Sequence, residues 1–161
     1  MREKKNIKLD IVNLLDEIQN GKYSNIQMNY YFSQNEYSKK EREFITNIIN
    51  ITLKNLIFVD YILGQTVRNI QKRKIKQLLR ISVAQILFMD SDNAGVVYEA
   101  GEISKIINKH QTGFVNATLQ AIIKNKEEII NAIPEDKKEG IVNSYPQWFV
   151  NKLKTDYPDD Y

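Results

Sequence analysis

The stretch GFVNATLQAII, residues 113–123, opens on a glycine and then keeps the rhythm of a helix. Phe114, Ala117 and Ala121, together with Leu119, Ile122 and Ile123, recur at three- and four-residue steps, the spacing of one buried stripe. Asn116 falls in the first turn, where a purely structural helix favours Ala or Glu. Its amide therefore needs a local reason: a hydrogen-bond partner or a ligand.

Working outward, the same period recurs along the chain. Ile11, Val12, Leu14, Leu15 and Ile18 form one apolar face, which stops at Asn20-Gly21. Ser38-Lys39-Lys40-Glu41 has the spacing of a capping box and precedes a long stripe of Phe44, Ile45, Ile48, Ile49, Leu53, Leu56 and Ile57. Gly64 is expected to break the helix there. Ile75, Leu78, Leu79, Val83 and Ile86 mark a further face that closes at residues 90–93, and another helix is expected from Val96 to Asn108. Pro134 signals a turn into a short helix, and Pro146 the start of a last one at residues 147–153. Alternating strand-like runs are few. The expected fold class is all-α.

Composition narrows the function. A chain of 161 residues is long enough for one domain with a proper core. With no cysteine, disulfides, thiolate metal sites and cysteine nucleophiles are excluded, and a reducing cytoplasm is the expected setting. No apolar run reaches the length of a membrane span, and the basic start carries no signal-peptide core. His110 is the single histidine, so no metal is expected. Glu99 and Glu102 share a helix turn but lack a second catalytic group, which favours a structural role. Glycine-rich phosphate loops are absent. No catalytic residue is expected in this chain.

The charge is polarised. Up to Arg80 there are 15 Lys and Arg against 8 Asp and Glu; beyond it there are 8 against 12. No acid occurs between Asp60 and Asp90, where Arg68, Lys72, Arg73, Lys74, Lys76 and Arg80 all fall. On one continuous helix Arg68, Lys72, Lys76 and Arg80 would form a single stripe, with a mutual repulsion that a polyanion relieves. Lys4, Lys5 and Lys8 would extend the field if the N-terminus folds alongside. Tyr30, Tyr31 and Phe32 offer either stacking platforms for unpaired bases or ordinary core. Arg80, flanked by Leu79 and Ile81, is expected to be structural, paired with Glu99 or, failing that, Glu102.

Five blocks now stand in order: GKYSN (21–25), EFITNIINITLKNLIFVDYIL (43–63), LLRISVAQILFMD (78–90), VVYEAGEISK (96–105) and GFVNATLQAI (113–122). Together they resemble the NusB-type helical RNA-binding domain over residues 4–124. The resemblance implies two small antiparallel helical bundles over residues 1–133. It also implies a helix opening at GFVN against the core, with Gly113 allowing close backbone approach and Phe114 and Asn116 in structural roles. Ile51, Gly101 and Gln120 depart from the family pattern, the last where an arginine is usual. The segment NSYPQWFVNKLKTDYP (143–158) is similar to the connector, here residues 134–161, that leads into the catalytic part of RsmB (Sun/Fmu) type small-subunit rRNA cytosine-C5 methyltransferases.

This resemblance implies an RNA-recognition and positioning domain whose partners are rRNA and a missing C-terminal methyltransferase domain. S-adenosylmethionine would be the cofactor of that missing part and no cofactor belongs to this chain. Two alternatives remain: a free antitermination factor on boxA-like RNA with a ribosomal protein, or a helical protein-interaction domain whose basic stripe meets an acidic partner.

Overall fold

The computed structural model describes residues 6–19, 24–34, 36–70 and 72–143. The expected last helix at 147–153 lies outside them. The elements are α1 (Ile7–Gln19), α2 (Ser24–Gln34), α3 (Lys39–Lys54), α4 (Leu56–Thr66), α5 (Arg73–Phe88), α6 (Asn93–Asn108), a 3-10 turn (Lys109–Gln111), α7 (Thr112–Asn131) and α8 (Glu135–Val142). No strand occurs among the described residues. The protein is all-α, and no described helix is long and apolar enough to cross a membrane.

α5 organises the packing. Every residue from Leu78 to Ile86 is buried, as expected of a helix enclosed on all sides. It packs on α1 and α3 to one side and on α4, α6 and α7 to the other, while α2 rests on α1 and α8 on α4. Two helical groups thus share one central helix and one hydrophobic cluster. The stretch first expected to lead away as a connector begins with α8, whose Ile141 and Val142 pack against that cluster.

Local chemistry explains the boundaries. Ser38 accepts from the Glu41 amide at 3.1 Å while the Glu41 carboxylate accepts from the Ser38 amide at 2.7 Å, so the expected capping box opens α3. The long stripe over residues 44–57 is divided at Asn55. The Asn55 amide side chain donates to the Ile51 carbonyl at 2.9 Å and its backbone turns to φ −110°, ψ 22°, which closes α3 and starts α4 on a new axis. Gly64, the expected break, lies inside α4, which continues to Thr66. Asp92 caps α6 by accepting from the Gly95 amide at 3.2 Å. Asp90, with φ 46°, takes the left-handed turn between α5 and α6 that Asp tolerates better than most residues.

The GFVN stretch resolves differently from its expectation. α7 begins at Thr112, whose hydroxyl shares a 2.9 Å hydrogen bond with the buried Ser104 hydroxyl of α6. Phe114 packs on the core. Gly113 does not permit a close approach: a methyl group there would meet no atom within 4 Å. Asn116 is exposed, and its amide makes no hydrogen bond among the described residues.

Candidate nucleic-acid interface

The basic segment is a corner. α4 ends as Val67 turns extended (φ −134°, ψ 148°), its N–H still bonded to the Leu63 carbonyl at 2.9 Å. Arg68, Asn69 and Ile70 lie outside any helix, and α5 starts at Arg73 behind an extended Lys72. Arg68, Lys72, Lys76 and Arg80 are therefore not one helical stripe. Arg68 precedes the helix, and Arg80 points into the protein.

What the corner concentrates is exposed cation. Arg68, Lys72, Arg73 and Lys74 are exposed and Lys76 is half-buried. Arg68, Lys72, Lys74 and Lys76 form no ion pair among the described residues. Arg73 and Lys74 occupy the first turn of α5, which contains no acidic residue of its own to balance the positive end of the helix dipole. Cations at that end are disfavoured unless an anion arrives. Arg73 is also an anchor: its Nε lies 2.8 Å from Oδ1 of Asp16, which is 5% exposed on α1. That oxygen has ion-pair contact without an aligned hydrogen bond.

Arg80 is buried, as expected, but its partner is neither Glu99 nor Glu102. Its Nε and Nη2 donate to Oδ1 and Oδ2 of Asp60 at 2.8 and 2.7 Å, and Nη1 donates to Gln77 at 3.1 Å. The carboxylate one helix back reaches the guanidinium because α4 and α5 pack side by side. Glu102 instead accepts from Lys105 at 3.0 Å. Glu99 faces Lys8, 3.5 Å from its Nζ.

Lys8 therefore leaves the expected basic field. Its side chain is only 3% exposed, and burial pushes its pKa down to about 8 against the opposing pull of Glu99. Lys4 and Lys5 lie outside the described residues. Among the aromatics, Tyr31 and Phe32 pack on the core while Tyr30 is 56% exposed, edge-on to Tyr31. Burial pushes the Tyr31 hydroxyl up to about 12. Tyr37, unremarked in the sequence, is buried against Phe32 and donates to Asp10 at 2.7 Å. His110 sits exposed in the 3-10 turn, and no group of three or more metal-binding side chains occurs among the described residues.

Asp60, Asp16 and Tyr37 were missed because their partners are distant in sequence. The one available signal was Asp60 itself, the last acid before a long basic run.

The sequence model of the NusB family matches residues 5–124. The chain is 31% identical over 144 residues to the probable ribosomal RNA small subunit methyltransferase B of Bacillus subtilis (strain 168), covering 86% of this chain and 32% of that protein. It is also 24% identical over 132 residues to the transcription antitermination protein NusB of Campylobacter jejuni (strain RM1221), covering 79% of this chain and all of that protein. The chain thus spans about a third of the length of the methyltransferase relative. By the extent of the family match and the helical architecture that accompanies it, the chain belongs to the NusB family.

Proposed function

We propose that this chain is the N-terminal RNA-recognition and positioning domain of a small-subunit rRNA cytosine-C5 methyltransferase, without catalytic activity of its own. The observation that carries the reading is the extent of the methyltransferase likeness. It covers more of the chain than the family-matched segment does, so it runs on past Lys124, yet it reaches only 32% of the relative. The remainder of such an enzyme would hold S-adenosylmethionine and the paired cysteines of its chemistry. The α4–α5 corner would dock rRNA through phosphate contacts, which position the strand without reading sequence.

A free antitermination factor is the second reading, favoured by the full-length coverage of the Campylobacter protein. The coding frame beyond Tyr161 separates the two. Continuation into an S-adenosylmethionine-binding domain with Pro-Cys and Thr-Cys signatures supports the first, and a stop codon the second.

RNA docking is tested by salt. Each phosphate neutralised on single-stranded RNA contributes roughly −0.7 to the log–log slope of affinity against salt. Lys72→Ala/Lys74→Ala should flatten that slope by about 1.4 and weaken all sequences alike. An unchanged slope moves the contact surface away from this corner. Transfer of a methyl group from S-adenosylmethionine to rRNA by this chain alone would contradict the non-catalytic assignment.

A further inference from the structure

Where α4 gives way to residues 67–70, the chain leaves a cavity of about 160 Å³. Leu63, Val67 and Ile70 contribute apolar wall, Asp60 a carboxylate, and Arg68 and Lys76 two cations. We propose that this cavity receives one unstacked base of a bound RNA strand, with Asp60 accepting from the base's amino group and Arg68 and Lys76 holding its phosphates. The inference rests on the RNA-docking reading above and adds a base-selective subsite to it.

The lining chemistry suits a nucleotide better than its parts. A phosphate alone would be repelled by Asp60 and gain nothing from the aliphatic wall. A purely apolar group would displace water from the exposed side of the Asp60 carboxylate and leave its remaining acceptor capacity unused, although Arg80 still pairs it. An unpaired base satisfies both, since its faces pack on apolar side chains and its edge hydrogen-bonds. The volume is below the several hundred Å³ that drug-sized ligands fill, which suits one ring system with sugar and phosphate outside.

Asp60 is held ready for this. Both of its oxygens already accept from Arg80, which fixes the orientation of the carboxylate, yet its side chain stays 36% exposed. Each oxygen keeps further acceptor capacity. An ionised carboxylate only accepts, so it favours bases with an exocyclic amino group: cytosine, adenine and guanine. Uracil flanks its single N–H with two carbonyls, which the carboxylate repels.

Gly64 supplies the test. It lines the cavity, and a Cβ built on it meets no atom within 4 Å. Gly64→Leu should therefore fill the space while leaving the fold intact, with Gly64→Met as a second filling variant; circular dichroism checks both. Binding of the 161-residue chain is measured by fluorescence anisotropy to an all-uridine strand and to the same strand with one central cytidine or adenosine. The parent should prefer the substituted strands by roughly tenfold, and the filling variants should lose that preference but keep the salt slope. Lys76→Ala should flatten the slope by about 0.7 for every strand. A parent that binds all strands equally, or filling variants that keep the preference, overturns the cavity assignment and leaves RNA docking standing. A parent that binds no RNA overturns both.

Discussion

Arg80 of α5 and Asp60 of α4 meet through two parallel contacts of 2.8 and 2.7 Å, a fork-to-fork pair in which the cation is 9% exposed and the anion 36%. The asymmetry in burial decides which partner is costlier to strand. Arg80→Ala leaves a carboxylate that water can still reach, and the expected loss is about 2–3 kcal/mol. Asp60→Ala leaves a desolvated guanidinium, with an expected loss of about 3–5 kcal/mol. Urea unfolding of both variants checks the order. Arg80→Ala proving the costlier would reverse the argument.

Lys8 should make stability rise with pH. The unfolded chain holds this proton up to about 10.5, whereas the folded protein releases it near 8. Between those values unfolding takes up a proton, so the burial penalty, fully present below 8, is relieved as pH climbs. From pH 7.5 to 9.5 the gain should be roughly 1–2 kcal/mol. Tyr31 and Tyr37, whose hydroxyls are raised by burial, act with the opposite sign only above pH 10. Denaturant melts at the two pH values should show the rise in the parent and a flat response in Lys8→Met.

The capping box should carry its usual weight. Ser38→Ala removes the oxygen that satisfies the Glu41 amide and should cost about 1 kcal/mol. Thermal unfolding measures it. Because Ser38 is exposed, an effect near zero would mean that water replaces the cap.

Two helical glycines should be improvable. A methyl group at Gly101 or Gly113 meets nothing within 4 Å. Gly101→Ala and Gly113→Ala should each stabilise by about 0.5–1 kcal/mol, through helix propensity and a less flexible unfolded chain. A loss at Gly113 would restore a packing role for that residue.

Much of the fold was legible in the order of residues. Apolar spacing located the stripes of α1 and α5 and most of that of α3, where Phe44 is exposed, since only one face of a helix reaches the core and that face repeats with the helical period. In α7 only part of the expected stripe is buried: Leu119 and Ile122 are, joined by Val115 and Thr118, while Ala117 is exposed. Ser38 and Glu41 announced the start of α3 because capping is decided within four residues. The surplus of cations before Arg80 was likewise a matter of sequence alone.

Other features belong to the tertiary structure. Spacing by four suggested one stripe through Arg68, Lys72, Lys76 and Arg80, but the chain turns at Val67 and separates them. Lys8 reads as surface charge in the sequence, yet the approach of α1 to α6 buries it beside Glu99. Arg80 was legibly internal from Leu79 and Ile81, whereas its partner Asp60 was not, because helix packing rather than chain proximity brings the two together. Local propensity acts over a turn or two of helix. Ion pairs such as Arg80–Asp60 and Arg73–Asp16 form only after distant helices dock, when desolvation makes a particular opposite charge necessary.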